Sequence, residues 1–258
     1  MSYAEVNGTR LWYDVAGEGP AVVLIHAGIV DSRMWDEHVE AFRERYQVAR
    51  YDQRGFGLSS VPDAPYSDVA DLAALLDELE IDRAAVVGTS RGGSIAINFT
   101  LTHPERAWAL VPVATGLGGF RFNPYSEEQD ARYETAEEAG DWRAAAEVDL
   151  EVWAPMGAEG RVGDLVYANA QAAETEHLAQ PLDQPAIGRL AEIRVPTLVI
   201  TGDRDVQGMT EIGDLLEREI ERARRVHIAE ADHLVPMRQP EPFARAVLGF
   251  LDEHRPSI

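Results

Sequence analysis

The chain has 258 residues, enough for one large domain with a substantial buried core and short for two ordinary ones. Its formal net charge of -22, from 45 acidic against 23 basic residues, repels a phosphate backbone or an anionic membrane surface, so neither nucleic acid nor a membrane is expected as a partner. All 23 basic residues are arginine and cysteine is absent, which excludes Schiff-base chemistry, a phosphate-loop lysine, a disulfide framework and a thiolate nucleophile.

The start has no basic region followed by an apolar one, and no apolar run approaches the ~20 residues that span a bilayer, so a cytoplasmic location is expected. Asn7-Gly8 suits a tight primed turn and predicts a hairpin between "SYAEV" and "TRLWYDV". "AVVLIHA" reads as a strand buried on both faces, "WDEHVEAFRER" as a helix and "QVARYD" as the next strand. "DVADLAALLDELEI" places Leu72, Leu75, Leu76 and Leu79 on one helical face and runs into the strand "AAVVG". A helix from about Gly92 to His103 leads to "AWALVPVAT". After a long interval come "VPTLVITGD", a helix from about Thr210 to Ala223, "RRVHIAE" and a final helix over "PFARAVLGFLDEH".

This alternation predicts an α/β fold, a mostly parallel eight-stranded sheet with helices on both faces and sites at the carboxyl ends of its strands. The interval breaks the rhythm: it is acidic, rich in alanine and aromatic residues, and shows no strand. It is expected to be a helical insertion over 120–190, between core segments 1–119 and 191–258.

Gly88-Thr89-Ser90-Arg91-Gly92 fits G-x-S-x-G between a predicted strand and a predicted helix, the setting of a nucleophile elbow. The glycines let strand and helix approach closely, the serine hydroxyl projects above the sheet edge, and the Arg91 amide points to the same spot from a helix N-terminus. A serine nucleophile needs a base and a group that orients the base, in the chain order acid then histidine. Asp205 follows the strand "VPTLVITGD" and His233 follows "RRVHIAE", so Ser90, Asp205 and His233 are the expected catalytic residues. Asp203 is expected to shape the turn and His227 to be a packed or edge residue within a strand; His38, His103, His177 and His254 are read as solvated. No histidine and carboxylate cluster has metal-ligand spacing, so neither metal nor other cofactor is expected.

These motifs, with "IHAGIVDSRMW", "YDQRGFGLSS" and "ADHLVPMRQPEPF", resemble those of the α/β-hydrolase superfamily along nearly the whole chain, with the insertion as its cap. The resemblance implies a Ser-His-Asp hydrolase whose oxyanion hole is formed by the amides of Gly28 and Arg91. It also implies that His26 orients the oxyanion loop and that Asp52 with Arg54 braces the neighbouring one. Gly28 leaves space that is expected to widen the acyl pocket. The Arg91 side chain departs from the usual apolar residue and is expected to pair with acidic cap residues rather than with a substrate carboxylate. Trp153 and Met156 are the expected cap contributions to the substrate site.

The resemblance leans towards carboxylesterases and enol-lactonases, hence a small ester or lactone as substrate. Carbon-carbon bond hydrolases, cofactor-free perhydrolases and a hydrolase-like ligand-binding receptor remain as alternatives, and the oligomeric state stays open.

Overall fold

In the computed structural model, which describes residues 2–256, Asn7 and Gly8 both take positive φ (47° and 74°). That is the twist a two-residue hairpin needs, and it joins β1 (Ser2–Val6) to β2 (Thr9–Ala16) in antiparallel register. The remaining strands are β3 (Ala21–Ile25), β4 (Gln47–Tyr51), β5 (Ala84–Thr89), β6 (Ala107–Val113), β7 (Thr197–Gly202) and β8 (Ala223–Ile228). They form one eight-stranded sheet in the order β1-β2-β4-β3-β5-β6-β7-β8, parallel from β4 to β8 and antiparallel where β2 meets its neighbours.

The pleat sorts the core into two layers. Along β3, Val22 and Leu24 join one buried cluster while Ala21, Val23 and Ile25 join the other. The first cluster takes Phe42 from α1 (Asp36–Arg43), Val235 from α8 (Val235–Arg238), and Phe243, Val247 and Phe250 from α9 (Pro240–Glu253). The second takes Leu72, Leu75 and Leu76 from α2 (Asp68–Glu78), Ile95 and Phe99 from α3 (Arg91–Thr102), and Ile212 and Leu216 from α7 (Gln207–Glu219). Strands covered on both faces must be nearly all apolar, as β3 and β6 are and as β5 is up to Thr89 at its end.

Two expectations are corrected here. The helix expected from about Thr210 to Ala223 runs instead over Gln207–Glu219, because Ala223 is drawn into β8, where it pairs with Thr197 of β7. His38 is not solvated: it is buried in α1, its Nε2 lies 3.0 Å from the Pro236 carbonyl oxygen, and its ring meets Phe243 edge-on at 4.9 Å. Burial lowers its pKa to about 4, so it stays neutral.

Between β6 and β7 lie α4 (Glu127–Ala139), α5 (Trp142–Trp153), α6 (Arg161–Asn169) and 3-10 turns over Ala170–Leu178, Ala186–Gly188 and Leu190–Glu192. Ser126 and Gln129 close a capping box at the head of α4, and Gly140 ends it in the left-handed region. α5 and α6 lend Ala146, Leu150, Val162 and Leu165 to the same cluster as Val22 and Leu24, so this segment shares its core with the sheet. Polar ties reinforce the join. Asn169 Nδ2 donates to Asp31 Oδ2 at 2.9 Å while its Oδ1 accepts from Gly57 N, and Arg238 Nη2 donates to the Gly157 carbonyl at 2.6 Å. Among the described residues no helix is long and apolar enough to cross a membrane.

Candidate active site

Ser90 sits where β5 ends and α3 begins, with φ 56° and ψ -117°. For a residue with a Cβ this conformation costs on the order of 1–3 kcal/mol and needs support from its surroundings. The support is visible: Ser90 N donates to Val113 O at 2.9 Å, and Ser90 O accepts from Ser94 N at 3.0 Å and Gly116 N at 3.3 Å. The flanking glycines are obligatory for a separate reason. A Cβ on Gly88 would run into the Gly92 carbonyl, and one on Gly92 into the carbonyl oxygens of Ile25 and His26.

Asp205 and His233 come from the loops after β7 and β8, which are stitched together. Asp203 N donates to Ile228 O, Arg204 N to Ala231 O, and Ala231 N to Asp203 Oδ1 at 3.2 Å, so Asp203 shapes the turn that carries Asp205. His233 Nδ1 lies 3.2 and 3.1 Å from the two Asp205 carboxylate oxygens, and both side chains are almost fully buried. That arrangement fixes the imidazole with Nε2 free. Ser90 and His233 line one cavity of about 200 Å³, with no direct hydrogen bond between them among the described residues.

Gly28 and Arg91 line the same cavity. Arg91 opens α3, so its amide has no helical acceptor and carries the positive end of the helix dipole. The space beside Gly28 does not widen the cavity as expected: a Cβ there would meet Arg91 Cβ at 3.3 Å and Cδ at 3.4 Å, so the arginine stem fills it. The guanidinium is fully engaged. Nη2 reaches Asp68 at 2.9 Å and the Tyr66 hydroxyl at 3.1 Å, Nη1 reaches Glu176 at 2.9 Å, and Nε reaches Gln53 at 2.9 Å. Burial opposes its charge, but the two carboxylates outweigh burial and hold its pKa above the usual arginine value.

His26 is fully buried, and desolvation depresses its pKa despite the neighbouring Asp52. Its Nε2 accepts from Gln53 N at 2.9 Å, which leaves Nδ1 to donate to Ala27 O at 2.8 Å and clamp the loop that carries Gly28. Asp52 accepts from Ser32 N and Leu58 N, bracing two loops at once. Arg54, expected to work with Asp52, pairs with Asp71 on α2 instead and donates to Asn7 O.

Trp153 lines the cavity, with its ring centroid 4.4 Å from that of His233. Met156 is not among the lining residues. The turn after α5 directs its backbone amide onto Asp232 at 3.3 Å, so its place is a tie between insertion and core. The cavity also gathers Tyr125, one of the insertion's aromatic residues, and Asp149, Tyr133 and Glu176, which sequence reasoning did not find. The usable signal was spacing: Asp149 lies one helical turn before Trp153 on α5 and so shares its face.

A serine on a sharp strand-to-helix turn at the carboxyl edge of a mostly parallel sheet, with an aspartate and a histidine on the loops after later strands, is the layout of a hydrolase-type α/β protein. Residues 22–246 match the model of the alpha/beta hydrolase family, and the chain belongs to that family. It is 28% identical to 3-oxoadipate enol-lactonase 2 of Acinetobacter baylyi over 243 residues, 88% of this chain and 87% of that one. The crystal structure of the enol-lactonase from Burkholderia xenovorans superposes with a TM-score of 0.84 at 29% identity, covering 97% of this chain and all of the other. A match to an uncharacterized protein of Mycobacterium tuberculosis, 34% identical over 119 residues, takes in 45% of this chain and only 35% of that relative's length.

Proposed function

We propose that this protein hydrolyses small carboxylic esters or lactones through an acyl-enzyme on Ser90. The observation that carries the reading is the strained Ser90 at the head of α3, in one cavity with a His233 whose Nδ1 is held by Asp205. In this mechanism Nε2 of His233 takes the Ser90 proton as the oxygen attacks the carbonyl carbon, then returns it to the leaving oxygen as the tetrahedral species collapses. Asp205 steadies the imidazolium. The amides of Gly28 and Arg91 hold the oxyanion, each worth about 3 kcal/mol by the usual effect of one such donor. Water then repeats the cycle on the acyl-enzyme. The enol-lactonase relatives support a ring ester as well as a linear one. A cavity of about 200 Å³ favours short acyl groups, since sites for drug-sized ligands span roughly 300–1,000 Å³.

The test combines mass spectrometry after fluorophosphonate treatment with p-nitrophenyl acetate and butyrate turnover. A single adduct mapping to Ser90 is expected, together with a fall in kcat of at least about 10³-fold in Ser90→Ala, the scale on which a triad acts as a unit. Folded protein that forms no adduct and turns over neither ester refutes the reading.

A further inference from the structure

We propose that the substrate carries a cationic group, an amine or quaternary ammonium, which the cavity binds between Asp149 and the rings of Tyr125, Tyr133 and Trp153. This rests on the serine-hydrolase reading for the chemistry but not for the binding. Buried carboxylates elsewhere in the protein have their compensation built in. Asp31 has Arg33, Asp71 has Arg54, Asp68 has Arg91 and Asp232 has Arg238, while Asp52 takes two backbone amides and Asp205 takes His233. Asp149 is largely buried yet forms no ion pair among the described residues. Its Oδ1 accepts from the Tyr125 hydroxyl at 2.6 Å, which in turn accepts from Trp153 Nε1 at 3.1 Å.

A carboxylate withdrawn from water without a cation is costly, so its retention beside the nucleophile calls for a partner that arrives with the substrate. The walls suit such a partner. Tyr125 stands at 89° to Trp153 with centroids 6.3 Å apart, and at 46° to Tyr133 at 5.8 Å. Rings set at steep angles around an anion offer the π-faces and charge that hold ammonium groups. Glu176, half-exposed at the same cavity, adds negative charge, and the one arginine lining it is already shared between Asp68 and Glu176. A substrate carboxylate placed against Asp149 would meet the repulsion of both carboxylates, with no free arginine beside it among the described residues. Burial outweighs the hydrogen bonds from Tyr125 and Trp153 and raises the Asp149 pKa to about 6, as a carboxylate without an ion pair should show, and a bound cation would lower it.

The experiment is calorimetric titration of Ser90→Ala with choline and with 3,3-dimethyl-1-butanol, which has the same shape without the charge. Alongside it, wild-type protein is assayed on acetylthiocholine, its neutral carbon isostere 3,3-dimethylbutyl thioacetate, and p-nitrophenyl acetate. Choline is expected to bind about tenfold or more tightly than the alcohol, with kcat/KM favouring the cationic thioester by a similar factor. Asp149→Asn should bring the choline-to-alcohol ratio to near one, and Glu176→Gln should lower it by a smaller factor. Choline binding no better than the alcohol, or not at all at millimolar concentration, overturns the proposal even if p-nitrophenyl acetate is hydrolysed. Selective choline binding without hydrolysis of any ester upholds the cation site and refutes the serine mechanism instead.

Discussion

At the residue scale, two side chains bear a local cost that the fold alone does not require. Ser90 holds positive φ, and Asp149 keeps a largely desolvated carboxylate without an ion pair among the described residues. Such costs concentrate where chemistry or binding uses them. Asp149 has a folded-state pKa of about 6 against 3.8 for the ordinary group, so between these values the folded protein holds more protons than the unfolded chain. Stability therefore falls as pH rises through that window, and the cost is fully present above it. Asp149→Asn should accordingly stabilise the ligand-free protein by about 1–3 kcal/mol at pH 7.5, with the gain vanishing below about pH 4. Denaturant titrations of both proteins at several pH values check this; an unchanged or lower stability at pH 7.5 would show that the carboxylate is compensated.

At the element scale, the site depends on β3, β5 and α3 approaching so closely that glycine is the only residue that fits. Gly92→Ala places a methyl group against two β3-loop carbonyls with no flexible side chain to yield. A loss of about 3 kcal/mol or more is expected, at or beyond the upper end for overpacking, and thermal unfolding measures it. The elbow was readable because its requirements are local: glycine spacing, an apolar strand before and a helical pattern after. Asp205 and His233 were readable because each follows a buried strand, so topology carries them to one edge of the sheet. α5 is a different case. Its pattern marks a helix, but which face of it turns to the cavity depends on how α4, α5 and α6 pack; Asp149 becomes legible once Trp153 marks that face, whereas Tyr133 on α4 has no such local link. Met156 failed for the same reason. His38 was misread because nothing local to α1 shows that Phe243 and Pro236, about 200 residues on, cover its ring.

At the scale of the whole molecule, the charge of -22 sets two terms against each other. Many arginine–carboxylate pairs lie at the surface, for example Arg132–Glu151 and Arg194–Glu221, and exposed pairs of this kind are worth only about 0–1 kcal/mol each. General repulsion acts over the whole surface and is screened as the Debye length falls from about 30 Å at 0.01 M salt to about 3 Å at 1 M. Repulsion should win, so the melting temperature is expected to rise by a few degrees across that range of sodium chloride in scanning calorimetry; a fall would show that the surface pairs dominate.

The mostly parallel sheet between helical layers was legible in the chain, and so was the placement of Ser90, Asp205 and His233 just past the ends of strands, because hydrophobic period and motif spacing act over a few residues at a time. The pairing of Arg91 with an acidic residue of the insertion was anticipated, but its tie to Asp68, the filling of the space at Gly28 and the carboxylate that shares the cavity with Ser90 emerged from the folded structure. Those outcomes depend on contacts between segments far apart in the chain, such as Arg91 with Asp68 and Glu176, and no local pattern encodes the distance between them.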